Sequence, residues 1–225
     1  MPLELIHSDV CGKVSCSSLS GYNYFVTFID DFTRFVWVYF IKTKDEVLGK
    51  FIEFKSLVEK QTGHKIKKFR TDNGGEYLSS DFIKLLKSEG IEHQTTVRKS
   101  PEQNGTAERM NRSLVEAVIT MLNDANLPKV FWAEALATAA YMRNRSPTSA
   151  LVGKTPYEAL HGKKPDVSNF RIFGCLAYSH VPKDERRKLD VKSVKCILLG
   201  YGSNVKGYRL YDFNKRRVFH SRDVI

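Results

Sequence analysis

A chain of 225 residues, 42% of them hydrophobic, can bury one main core and a smaller second one. Lys plus Arg outnumber Asp plus Glu by 36 to 25, a net charge of +11 that suits a binder of polyanions, with nucleic acid the leading partner. No segment approaches the roughly 18 uncharged apolar residues of a membrane span, and MPLELIHSDV is no signal peptide, so neither a membrane protein nor a secreted one is expected.

Residues 3 to 10 read as a strand leading to Asp9. Tyr22 to Ile29 and Arg34 to Ile41 are rich in aromatic and β-branched residues, which predicts two antiparallel strands around an Asp30-Asp31-Phe32-Thr33 turn. From Lys44 to Gln61 the residues Val47, Phe51, Phe54 and Val58 recur at helical spacing, and Gly63 marks the stop. Lys65 to Thr71 is a short strand broken by Asn73-Gly74-Gly75, which puts Asp72 at a strand end. Leu78 to Glu89 reads as a helix with Phe82, Leu85 and Leu86 inward, and Ile91 to Val97 as a strand.

The polar stretch RKSPEQNG then opens a helix whose Ala107, Met110, Leu114 and Met121 face inward, leaving Glu108, Arg109, Arg112 and Glu116 on the opposite side. Phe131 to Asn144 is a further helix, after which Pro147, Pro156 and Pro165 punctuate a loop-rich region ending in the strand-like FRIFGCLAYSHV. Lys183 to Lys188, KDERRK, reads as a linker. KCILLGYG, GYRLYDF and RRVFHSRDV are three short strand patterns that suggest a small β-barrel or curled meander. The element order predicts an α/β chain, a mixed sheet flanked by helices. The expected units are a core over 1–165, a connecting strand and basic linker over 166–190, and a small β-rich domain over 191–225. Cys11, Cys16, Cys175 and Cys196 form no CxxC pair and have no histidines at zinc-finger spacing, so they are expected to be reduced thiols in an intracellular protein.

Asp9 and Asp72 each end a predicted strand and Glu108 opens a helix, with 35 residues between Asp72 and Glu108. Three such carboxylates can converge at one end of a sheet, where they favour Mg²⁺ or Mn²⁺ because clustered carboxylates resist ionisation without a cation. Each acid alone also has a plain structural reading as strand end, turn former or helix-start acid.

HSDVCG, FVTFIDDFTRFVWVYF, FRTDNGGEY, SPEQNGTAERMNRSL, NRSPT, FRIFGCLAY and GYRLYDF closely resemble the integrase region of copia-type LTR retrotransposon Pol polyproteins, over nearly the whole chain. The resemblance implies a ribonuclease-H-like core with a five-stranded mixed sheet. It assigns Asp9, Asp72 and Glu108 as catalytic ligands of two Mg²⁺ or Mn²⁺ ions. It also implies the chemistry, 3′ end processing of the element's cDNA followed by strand transfer into target DNA, performed in the nucleus by a homo-oligomer. The zinc-binding module that usually precedes this region and the reverse transcriptase that follows it are absent here, so the chain reads as a polyprotein fragment. Two departures stand out: the loop reads SPEQNG where TPQQNG is common, adding Glu102 beside the site, and Lys13 replaces a proline common after Cys-Gly.

Around the triad, Lys99, Gln103, Asn104, Arg109 and Arg112 are the candidate DNA contacts, with Asn104 alternatively a helix N-cap and Arg112 alternatively an ion-pair partner of Glu108. Asp30 and Asp31 are expected to shape a turn, His7 to be packed, and Glu76 to be solvated. The Lys183 to Lys188 and Lys215 to Arg217 runs are candidates for tracking DNA backbone. Two rival readings keep the fold and change the function: a decayed or host-adopted DNA-binding or assembly module, and a ribonuclease-H-like nuclease that cuts RNA.

Overall fold

A computed structural model describes residues 1–96, 104–202 and 205–225. The first half of the chain builds a five-stranded sheet from β1 (Leu5–Cys11), β2 (Tyr24–Asp30), β3 (Val36–Ile41), β4 (Lys68–Thr71) and β5 (Glu92–Thr95), in the order β3-β2-β1-β4-β5. β1 runs antiparallel to β2 and parallel to β4, and β4 runs parallel to β5, so the sheet is mixed. Helices cover both faces, which is why six of the seven β2 residues are buried.

On one face α1 (Val47–Thr62) and α2 (Ser80–Ser88) pack against Ile6, Val26, Phe28 and Phe69. Phe28 stacks on Phe54 at 4.4 Å between ring centroids and Phe51 lies 4.6 Å from Phe69, so aromatic rings fill most of this layer. On the other face α3 (Gly105–Asp124) and α4 (Trp132–Arg145) pack against Phe25, Ile29 and Val36. Asn144 of α4 bonds both the amide and the carbonyl of Val36, fixing the helix end to β3. A further helix, α5 (Pro156–His161), forms within the proline-punctuated region predicted to be loop-rich. Thr155 caps it through the Glu158 amide and Gly162 closes it in a left-handed conformation.

The second sheet is an antiparallel meander, β6 (Leu176–His180), β7 (Ser193–Tyr201), β8 (Tyr208–Asp212) and β9 (Arg217–Ser221). It curls shut because Tyr178 and Ile225 exchange backbone hydrogen bonds at 2.7 and 3.0 Å, while the His180 amide donates to the Asp223 carbonyl. Segment 166–190 therefore contributes its strand to this barrel and is more than a connection. The barrel is joined to the core through α4, since Ile197, Leu199 and Tyr211 share one buried cluster with Leu136, Ala139 and Trp132. Thr138 donates to the Leu199 carbonyl at 2.7 Å, and a side chain at Gly200 would collide with that hydroxyl, so the close approach of helix and strand requires glycine there.

Candidate active site

Parallel pairing aligns Leu5, Ile6 and His7 of β1 with Lys68, Phe69 and Arg70 of β4. The same offset carried two residues further sets Asp9, near the C-terminal end of β1, beside Asp72, which directly follows β4. Alternation along β1 sends Ile6, Ser8 and Val10 to the face of α1 and α2, and His7, Asp9 and Cys11 to the face of α3. Asp9 thus points at the helix that carries Glu108 in its first turn.

All three acids are partly exposed. Burial pushes the Asp9 carboxyl up to about 6; a hydrogen bond from Asn111 opposes the shift, and the charges of Asp72 and Glu108 add to it. Asp9 therefore senses both of the other acids. Among the described residues, however, no three His, Cys, Asp or Glu side chains gather closely enough to hold a metal ion as they stand. The donor set nevertheless suits hard divalent cations, being carboxylate oxygens that repel one another.

Asp9 and Asp72 are each held by their neighbours. Asp72 accepts from the Gly74 amide at 3.0 Å, in a turn pinned to the end of β5 by the Asn73 side chain on the Thr96 carbonyl at 2.6 Å. A side chain at Gly74 would press on the carboxylates of Asp72 and Glu76 and force them to shift. Asn111 donates to Asp9 Oδ2 at 2.9 Å and accepts from the Thr27 hydroxyl at 2.9 Å. Asn111 is a site residue that the sequence reading missed. Its signal was a short polar side chain on the inward stripe of α3, between Ala107 and Leu114 and three residues past Glu108.

Among the candidate DNA contacts, Arg109 and Arg112 are exposed, with the Arg109 guanidinium folded back toward Gly105. Glu108 and Arg112 form no ion pair. Asn104 is different from the expectation. It is 1% exposed and its carboxamide donates to the Ser8 carbonyl at 3.0 Å, so it occupies the N-cap position of α3 without a side-chain cap bond, and its burial withholds it from DNA in this conformation. Lys99 and Gln103 lie outside the described residues.

The nearby competitors are structural. Asp30 is fully buried and accepts from the Leu3 amide and from the Thr33 amide and hydroxyl. His7 is 2% exposed and bonds Asp31 at 2.9 Å. Glu76, expected to be solvated, has a mostly shielded side chain paired with Lys44 at 3.1 Å.

Residues 1–101 match the family described as Integrase core domain, and residues 175–225 match the Retroviral polymerase SH3-like domain. Over 223 residues the chain is 51% identical to the retrovirus-related Pol polyprotein from transposon TNT 1-94 of Nicotiana tabacum, covering 99% of this chain and 17% of that polyprotein. The HTLV-2 integrase catalytic core domain, solved in complex with magnesium in a trimeric form, superposes with a TM-score of 0.53 at 25% identity over 72% of this chain and 98% of that one. A chain of the simian T-cell lymphotropic virus intasome in complex with PP2A regulatory subunit B56 gamma matches 99% of this chain and 77% of its own length, at a TM-score of 0.59 and 18% identity. The five-stranded sheet with its helices is thus a ribonuclease-H-like integrase core, and the closed meander is the SH3-like unit.

Proposed function

We propose that this chain, which belongs to the integrase family of copia-type retrotransposon Pol polyproteins, performs 3′ end processing and strand transfer of element cDNA into target DNA. The observation that carries the reading is the placement of Asp9 beside Asp72 at the ends of parallel strands, with both Asp72 and Glu108 close enough to act on the Asp9 charge. Asp9, Asp72 and Glu108 would hold two divalent cations. When bound, such cations would supply Lewis acidity to the attacking and leaving oxygens of an in-line displacement.

In the first reaction a water oxygen bonds to a phosphodiester phosphorus near the cDNA end, and the bond to the 3′ oxygen breaks, freeing a 3′-hydroxyl. In the second that hydroxyl attacks a target phosphodiester and displaces the target's own 3′ oxygen, which takes up a proton. No protein nucleophile is needed. The chain's own work is to orient Asp9 through Asn111 and Asp72 through the Gly74 turn, and to hold DNA with Arg109 and Arg112. A nuclear site of action and a homo-oligomeric assembly belong to the same proposal, the latter supported by the trimeric form of the HTLV-2 core.

The test is joining of an oligonucleotide bearing the element's terminal sequence, in Mg²⁺ or Mn²⁺. The wild-type chain is expected to join it and Asp72→Asn to fall to background; normal joining by the variant would remove the triad. A second reading, a DNA-binding or assembly module without catalysis, draws on the lack of a ready-made acidic metal cluster among the described residues. That module would shift duplex DNA yet join none, even in Mn²⁺.

A further inference from the structure

Ser8 is fully buried in the central strand, immediately before Asp9, and points away from the face on which Asp9 lies. Its hydroxyl meets the Tyr77 hydroxyl at 2.7 Å. Tyr77 is also fully buried, five residues after Asp72, on the segment that continues from the Asp72 turn through the Tyr77 amide bond to the Gly74 carbonyl. The two hydroxyls sit in an aromatic layer, with Phe69 and Phe82 at 5.9 and 5.8 Å from the Tyr77 ring. An alanine and a phenylalanine would satisfy that layer equally well. What the hydroxyl pair adds is direction, because a hydrogen bond has a narrow geometry and apolar contact does not.

The backbone carbonyl of the same residue accepts the Asn104 carboxamide, and Asn104 lies four residues before Glu108 at the entry to α3. Ser8 therefore touches the segment of Asp72 through its side chain and the helix of Glu108 through its backbone, while its own peptide leads to Asp9.

We infer that Ser8 is a positioning residue that, through Tyr77 and Asn104, sets the separation of Asp9, Asp72 and Glu108 and so tunes their affinity for divalent cations. The inference rests on the metal-dependent reading of the site. Groups that orient ligands from behind typically change metal affinity by about 10- to 100-fold when removed. A purely structural hydrogen bond behaves differently, since replacing both buried partners by apolar groups of similar shape is nearly neutral.

The experiment compares Ser8→Ala, Tyr77→Phe and the double variant for thermal unfolding and for Mn²⁺ binding by calorimetry without DNA, with Asp72→Asn as reference. In the double variant the unfolding temperature is expected to return close to wild type, while the Mn²⁺ dissociation constant stays raised about 10-fold or more. Joining by the double variant should be lost at low Mn²⁺ and return at saturating Mn²⁺. Wild-type Mn²⁺ affinity in the double variant would overturn the inference, as would recovery of affinity in step with stability. If Asp72→Asn itself binds Mn²⁺ as wild type does, the metal-site reading fails first, which separates the two outcomes.

Discussion

Asn111 shows how a buried amide can serve two masters at a charged site. Its Nδ2 is committed to Asp9 and its Oδ1 to Thr27, so the side chain can neither rotate nor exchange its ends without leaving a partner unmet. Asn111→Leu removes the donor that favours ionised Asp9 and leaves the fully buried Thr27 hydroxyl only its long 3.5 Å bond to the Asp9 carbonyl. The stability cost of that poorly satisfied hydroxyl is about 1 kcal/mol or more. The Mg²⁺ concentration for half-maximal joining should rise about 10-fold or more, and a titration of joining against Mg²⁺ reads it directly. Asn111→Asp should be worse than Asn111→Leu at any Mg²⁺ concentration, because it sets a fourth carboxylate against Asp9. Equal activity of the two variants would mean that the contact with Asp9 is idle.

At the scale of elements, Glu59 fastens the end of α1 to the chain entering β4. Its carboxylate accepts from Lys65 at 2.7 Å, from the Ile66 amide at 3.1 Å and from Lys55 at 3.3 Å. Burial alone would raise its pKa, but these three donors outweigh it and hold the carboxyl below its ordinary value. A depressed folded-state pKa contributes stability above the ordinary carboxylate range that is lost as pH falls through the folded value. The gap in unfolding temperature between wild type and Glu59→Gln should therefore be widest near neutrality and shrink from about pH 5 downward. A gap that stays constant over that range would show the charge to be irrelevant to the fastening.

The same scale explains which elements were legible in the sequence. β1 to β4 and the four longer helices announce themselves through local periodicity, as with Val47, Phe51, Phe54 and Val58. Asp72 was legible as a strand end for the same reason, whereas β1 runs two residues past Asp9, paired with β2 as far as Cys11. α5 was masked by Pro147, Pro156 and Pro165, although Thr155, Pro156 and Gly162 are sound start and stop signals. The sheet to which β6 belongs depends on pairing with β7 and with Asp223 to Ile225, which no local pattern encodes. The burial of Asn104 arises from a contact 96 residues away in sequence, and the Ser8 and Tyr77 pair from one 69 residues away. Such meetings are products of topology, so a polar residue in a polar loop reads as exposed until the fold is known.

For the whole molecule, the decisive feature is that the barrel is not a loosely tethered unit. Glu134 of α4, 8% exposed, grips Arg209 of β8 in a two-pronged ion pair at 2.6 and 2.9 Å, next to the shared apolar cluster. Residues 175–225 hold 12 of the 36 Lys and Arg but only 5 of the 25 Asp and Glu, so +7 of the net +11 sits on this unit. The packed seam sets that charge on one side of the core, so under the proposed function the barrel would receive DNA backbone leaving the site. Lys215 and Arg216 in the turn between β8 and β9, and Arg217 at the start of β9, are exposed and have no ion-pair partner among the described residues. If they track phosphates, changing all three to Gln should flatten the slope of log affinity against log salt by roughly 0.9 per contact, or about 3 in total. The loss of affinity should be the same for element ends and for random duplex, since phosphate contacts carry no sequence. An unchanged salt slope in the triple variant would place the DNA path on another face of the molecule. Arg209→Met offers the complementary measurement. It leaves the turn charges in place but removes one arm of the seam, so it should lower joining more than it lowers duplex binding, because the barrel would still hold DNA while no longer aiming it.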